Sequence, residues 1–281
     1  MSGAERQGLG NEDARPAAAG SSFYLAMLIL PKEQREAMYQ VYAFCRAVDD
    51  IADDPGPKAG RLAKLEGWRG EIENLYAGRV SGPAQGLATP VQAFGLRKDD
   101  FLAVIDGMEM DVARDIRAPD WDELDLYCDC VASAVGRLSA RIFGIEDVRG
   151  RELSHHLGRA LQMTNILRDL DEDAAMDRLY LPKEALNEAG IKDMNVGEVL
   201  SHSSLDEACG LVAARARKHF AQAESVMEGC SRESVRSPRI MASVYQALLD
   251  KLVERGWAPP RREVRPSKLQ FAWAVMCYGV V

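Results

Sequence analysis

The sequence predicts an all-α protein built as a single domain. Apolar residues make up 47 % of the 281-residue chain, while aromatics reach only 7 %. A large aliphatic core is therefore available without the aromatic and β-branched runs that mark strands. Apolar positions recur at spacings of three and four over long stretches, which is the helical period. Turn pairs of the Asn-Gly and Asp-Gly kind, which close β-hairpins, are scarce. No repeat or break in composition divides residues 21–281. Residues 1–20 are rich in Ala, Gly and charge and lack an apolar h-region, so they read as a disordered leader and not as a signal peptide.

Each element follows from local signals. The apolar segment "SSFYLAMLIL" stops at Pro31, and Pro31 sits where a helix can start. A helix over 32–54 carries Met38, Val41, Cys45 and Val48 at helical spacing, and "DDPGP" ends it. A polar-faced helix covers about 60–77, "GRVSGP" is a loop, and a short helix covers 83–93. The helix over 98–114 opens with Asp99 and Asp100, where the dipole favours anions. "APDWDELDLYCDCVASAVGRLSARIFG" reads as one helix opened by Asp120 and closed by Gly144. Its small residues Ala132, Ser133, Ala134 and Gly136 let a neighbouring helix or a ligand come close. A continuous helix is expected over 147–173. "MDRLYLPKEAL" is a loop in which Pro182 opens a short helix. Amphipathic helices over 204–228 and 232–255 follow, and a last helix ends the chain.

The formal net charge of −8 argues against a nucleic-acid groove. The six cysteines form no Cys-x-x-Cys pair and read as small core residues of a reduced, cytoplasmic protein. The uncharged run "LQFAWAVMCYGVV" over 269–281 is too short to span a bilayer. It reads as a closing core helix, with a peripheral contact at the inner membrane face as the alternative. His155 and His156 are adjacent, so they are expected to point apart and to serve as surface or packing residues.

Two acidic stripes carry the chemistry. On the helix over 32–54, Tyr42, Arg46, Asp49 and Asp53 follow one another at spacings of four, three and four and share a face. Asp50 and Asp54 form a neighbouring stripe with no comparable polar predecessor. In "LQMTNILRDLDED", Gln162, Asn165, Asp169 and Asp173 again share a face, with Arg168 and Asp171 on others. An isolated Asp-x-x-x-Asp face is usually a solvated helix surface. Two such faces embedded in apolar helices point to a metal site. Carboxylates and an amide oxygen suit Mg²⁺ or Mn²⁺. "DLDED" is not a calcium loop, because Ala174 and Tyr180 stand at its sixth and twelfth positions. Two facing acidic helices loaded with metal would bind a diphosphate, and an apolar interior would hold its hydrocarbon and shield a carbocation from water.

"SSFYLAMLILPKEQREAMYQVYAFCRAVDDIAD" and "GRALQMTNILRDLDEDAAMDRLYLP" resemble the squalene and phytoene synthase family. The resemblance runs over about residues 21–275. "GSSFY", "GMEMD" and "LYCDCVASAVGRLSARIFG" are most like its hopanoid-pathway branch. It implies an isoprenoid-synthase helical bundle over 21–281 with a central apolar cavity. It further implies Mg²⁺-dependent head-to-head condensation of two farnesyl diphosphates to presqualene diphosphate, without NADPH. Hand-over to later squalene or hopanoid enzymes would follow. Phytoene synthesis from geranylgeranyl diphosphate, and complete squalene synthesis with NADPH, are the alternatives. A prenyl-diphosphate binder without turnover is a third.

The resemblance also implies roles. Asp49, Asp53, Asp169 and Asp173 correspond to the two aspartate-rich motifs, and Asn165 completes the metal cluster beside Gln162. Tyr42 and Arg46 meet diphosphate, as do Ser21, Ser22 and Arg178. Tyr127, Tyr245 and Arg262 line or close the site. "DDIAD" also fits the pattern of head-to-tail elongation enzymes, but "DLDED" does not match their second motif.

Overall fold

The computed structural model describes residues 26–113, 116–265 and 267–278. Helix α1, Lys32–Asp53, starts after Pro31 and buries Met38, Val41, Phe44, Val48 and Ala52. This is the apolar face that its spacing anticipates. Helix α2 is Lys58–Tyr76, a 3-10 turn spans Pro83–Leu87, α3 is Ala88–Phe94 and α4 is Lys98–Ala113. Gly95 ends α3 in the left-handed region at φ 60°, a conformation open to glycine at little cost. These elements close one core around Phe44, which stands edge-on to Trp68 and Phe101 at 5.5 and 5.2 Å.

The chain then builds a second core. Helix α5, Trp121–Cys128, is capped by the Asp120 carboxylate, which accepts from the Glu123 amide. Helix α6 is Ala134–Ile142 and α7 is Asp147–Arg168. After α7 come α8, Leu170–Ala175, α9, Lys183–Glu188, and α10, Val196–Ser201. The long α11, Leu205–Glu228, and α12, Arg236–Arg255, complete this half. Helix α13, Lys268–Tyr278, packs Ala274 on Ile240 and Val244 of α12. The all-α expectation holds: among the described residues, the β-pairing is an isolated parallel bridge between Arg117 and Leu179. The six cysteines are free thiols.

Three details differ from the sequence expectation. The helix over 120–144 is not regular, because a π turn over Asp129–Ser133 separates α5 from α6. The helix expected over 147–173 breaks at Asp169, whose φ of −99° and ψ of 16° leave the helical region. Hydrogen bonds from the Asp169 amide to Asn165 and from the Asp173 amide to Asp169 bridge the break. The stripe of acidic side chains therefore survives it. Helix α10 has no counterpart among the expected elements; it is capped by Asn195, which accepts from the Gly197 and Glu198 amides.

The π turn and α7 touch closely. A Cβ on Gly158 would lie 2.7 Å from Ser133 Oγ and 2.8 Å from the Ser133 Cα. The opposing atoms are largely backbone, so relief requires moving a helix. We expect Gly158→Ala to destabilise the fold by about 1–3 kcal/mol in urea unfolding. Gly210→Ala is the control. It lies on α11 with open space around its Cβ position, and should gain up to about 1 kcal/mol from helix propensity.

Candidate active site

A cavity of about 380 Å³ lies between the two cores. Its size falls in the range of small-molecule sites. Helix α1 contributes Val41, Tyr42, Cys45 and Asp49 to its wall, and α7 contributes Leu157, Leu161, Gln162 and Asn165. Ala132 and Gly136, on and just after the π turn, line it as well. The small residues of this stretch thus serve both roles the sequence allows: Ser133 admits α7, and Ala132 and Gly136 leave room in the cavity. Pro238, Met241 and Tyr245 of α12 form the remaining side.

Charged groups gather at one end. Arg46 donates to Asp49 at 2.6 Å and to Asp50 at 2.5 Å. Arg178 donates to Asp53 at 2.9 Å, so the loop after α8 reaches back to α1. Arg168 holds both oxygens of Asp169 at 2.6 Å and also hydrogen-bonds Tyr245. The sequence places Arg168 on another face; the break at Asp169 turns the two side chains together. The Asp171 carboxylate accepts from Arg261 at 2.6 Å, away from the stripe. Asp54 accepts from the Gly56 amide at 2.8 Å and from Lys64 at 2.7 Å. These contacts hold its carboxyl below the usual range, with Lys64 as the main cause. Asp54 therefore pins the turn after α1, which fits its place off the main stripe.

Asp111 at the end of α4 joins the group, although no stripe of polar residues marks it in the sequence. It accepts from Tyr180 at 2.6 Å and from Tyr127 at 3.0 Å, and the two rings stack at 5.0 Å. Its signal in the sequence is the final residue of "GMEMD", a carboxylate set among the buried residues Met108, Met110 and Val112. Tyr127 is buried beneath the cluster and holds Asp111; the cavity wall is made by other residues. Arg262 is exposed and accepts from Arg255 through its carbonyl. The structure does not bring its side chain into the group, and the neighbouring Arg261 turns inward. Ser21 and Ser22 lie outside the described residues.

The acidic groups repel one another. Burial pushes the Asp49 carboxyl up to about 6, with Asp53 adding to the rise and Arg46 opposing it. Burial also pushes Asp173 up to about 7, with Asp169 adding and Arg178 opposing. Asp111 is raised chiefly by burial, against the hydrogen bond from Tyr180. The Asn165 amide oxygen is buried with no hydrogen-bond partner, an arrangement that is costly unless something binds there. Excess negative charge beside an orphaned amide oxygen is the donor set of a hard divalent cation. By donor type, Asp49, Asp53, Asn165, Asp169 and Asp173 suit such a cation.

Comparison with known proteins adds to this geometry. The sequence profile described as squalene/phytoene synthase matches residues 17–270. A presqualene diphosphate synthase of Sinorhizobium fredii is 52 % identical over 255 residues, covering 91 % of both chains. One from Rhodopseudomonas palustris is 52 % identical over 264 residues, covering 94 % of this chain and 95 % of the relative. Among solved structures, a squalene synthase from Alicyclobacillus acidocaldarius superposes with a TM-score of 0.79 at 28 % identity. That superposition covers 89 % of this chain and 95 % of the other.

The raised carboxyls link stability to pH. Asp49 and Asp173 hold protons in the folded state up to about pH 6 and 7, whereas unfolded aspartates lose them near pH 4. The folded protein therefore binds more protons than the unfolded chain across that window, and these groups weaken the fold as pH rises through it. Without added metal, Asp173→Asn should melt about 2–4 °C above the parent protein at pH 7.5. The difference should shrink at pH 5 and vanish only below about pH 4, where the unfolded carboxyl is protonated as well, as read by thermal unfolding at the three pH values.

Proposed function

Because the chain belongs to the squalene/phytoene synthase family, we propose that it condenses two farnesyl diphosphates head to head. The products are presqualene diphosphate and free diphosphate, and the reaction requires Mg²⁺, with Mn²⁺ able to replace it. The enzyme is a prenyltransferase. The observation that carries this reading is an apolar cavity lined in part by Asp49 and Asn165, with Arg46, Arg168 and Arg178 paired to Asp49, Asp169 and Asp53. Asp49, Asp53, Asn165, Asp169 and Asp173 would hold the metal, which supplies countercharge for a departing diphosphate.

The protein's own groups do the rest. Arg46, Arg168 and Arg178 are each engaged by an aspartate. When substrate arrives, these guanidiniums can turn to its phosphate oxygens, for which their forked geometry is suited. One C1–O bond breaks and its electron pair leaves with the diphosphate. The 2,3-double bond of the second farnesyl chain attacks the allyl cation, and loss of a proton closes the cyclopropane. The cavity walls of Val41, Leu157, Leu161 and Met241 keep water from the cation. The released diphosphate and the Tyr42 hydroxyl are the candidate acceptors for that proton, and Tyr42→Phe distinguishes them.

Incubation with farnesyl diphosphate and Mg²⁺, with and without NADPH, tests the proposal. Presqualene diphosphate that persists with NADPH is the expected product. Squalene would indicate the longer reaction, and turnover of geranylgeranyl diphosphate alone would indicate phytoene synthesis. Asp49→Asn and Asp173→Asn should each lower turnover by at least about 100-fold with the fold retained. Asp54→Asn should stay within a few-fold of the parent, because its carboxylate serves the turn.

No helix among the described residues is long and apolar enough to cross a membrane. Helix α13 nonetheless covers the core with one face alone, and Trp273 and Met276 are 63 % and 61 % exposed. This supports a peripheral contact at the bilayer surface, from which an apolar product could pass to later squalene or hopanoid enzymes. The parent protein should co-sediment with liposomes, and Trp273→Ser should reduce the bound fraction by half or more.

A further inference from the structure

A second cluster of ligating side chains lies on the outer side of α7, away from the aspartates. His155 and His156 of α7 meet His219 of α11. The ring centroids of His155 and His156 are 4.7 Å apart, and those of His156 and His219 are 5.3 Å apart. His156 Nδ1 lies 3.0 Å from His219 Nδ1. One ring nitrogen from each residue can be chosen so that all three lie within 4.8 Å of one another. The sequence expectation that adjacent histidines point apart is thus corrected. Their Cβ atoms do diverge along the helix, but long imidazoles from both reach the groove where α11 brings its own.

We propose that His155, His156 and His219 form a binding site for a divalent transition-metal ion of the Zn²⁺ class, which ties α7 to α11. Imidazole nitrogens favour such borderline ions over Mg²⁺. A tetrahedral centre with metal–nitrogen bonds of about 2.0–2.1 Å sets its ligand nitrogens roughly 3.3–3.4 Å apart. The His156–His219 pair is already within a few tenths of an ångström of that spacing, and His155 has to close in from within 4.8 Å. Three protein ligands leave a position for water.

The charges around the cluster are compatible with a cation. Arg159 faces the cluster with a positive charge, which its pairs with Asp125 at 2.7 Å and Asp129 at 3.2 Å offset in part. Arg215 lies over the Trp121 ring at 4.4 Å. Glu152, one turn before His156, adds a carboxylate. Burial, followed by the neighbouring histidines, pushes His219 down to about 4. Burial likewise lowers His155 and His156. The rings are therefore neutral at pH 7, the form that binds metal. The site is separate from the aspartate cluster: His156 and Asn165 are nine residues apart on one helix, about 13 Å along its axis.

The test uses the full chain equilibrated with Zn²⁺ in the presence of excess Mg²⁺, then gel-filtered and assayed for bound zinc. The parent protein and the Asp49→Asn/Asp173→Asn double variant should each retain one equivalent. The His156→Gln/His219→Gln variant and the milder, exposed His155→Gln variant should retain none or a small fraction. Zinc should raise the melting temperature of the parent by about 5 °C and leave that of the double-histidine variant unchanged. Co²⁺ should give the visible absorption of a four-coordinate nitrogen site. Full zinc retention by the histidine variants would overturn the proposal. So would no retention by the parent, or a cobalt–thiolate charge-transfer band showing that cysteine binds the ion.

Discussion

Burial of like-charged carboxylates is the constraint on which the site depends. Asp49, Asp53, Asp111, Asp169 and Asp173 come from three separate stretches of chain, and burial, with repulsion among them adding to it, raises Asp49, Asp111 and Asp173 above the normal range. The structure tolerates this by interleaving cations. Arg46, Arg168 and Arg178 each take one carboxylate, and the Tyr127–Tyr180 pair takes Asp111. On the proposed function, a divalent cation would relieve the carboxylates while a diphosphate took over the arginines. Metal and anionic substrate would then reinforce one another, because each would free the other's partner.

A cavity in a helical protein is costly, since interiors are otherwise close-packed. Here the space is bounded by devices that hold the walls apart at one level and together at the next. The π turn over Asp129–Ser133 places Ala132 on the cavity while Ser133 meets Gly158. The buried Arg159 ties the same turn to α5 and α7 through Asp125, Asp129 and the Ser133 hydroxyl. The polar network thus fixes the rim of the space and keeps it from collapsing.

Helix α7 links these parts. Its start packs through Gly150 and Ser154 against α6, and its middle lines the cavity. Its end supplies Asn165 and Arg168 to the acidic cluster, and its outer side carries two of the three histidines. A clamp between α7 and α11 would act on the element that sets the position of the second aspartate motif. The histidine cluster is in that sense connected to the site by one rigid helix.

The sequence by itself determined the fold class, most helix limits and the two acidic stripes, because these rest on short-range periodicity. Residues three and four apart share a face whatever surrounds them, so Asp49 and Asp53, or Asn165 and Asp169, could be grouped from spacing. Tertiary structure alone decided which distant groups meet. Asp111 and Tyr180 are single residues with no stripe to mark them, and His219 lies 63 positions from the histidine it touches. Arg168 meets Asp169 where the helix breaks at that aspartate, and Arg261 turned inward where Arg262 was expected. The physical reason is common to all of these. Periodicity reports the face of one helix, whereas pairing across helices depends on packing, on breaks such as Asp169 and on the balance of buried charge.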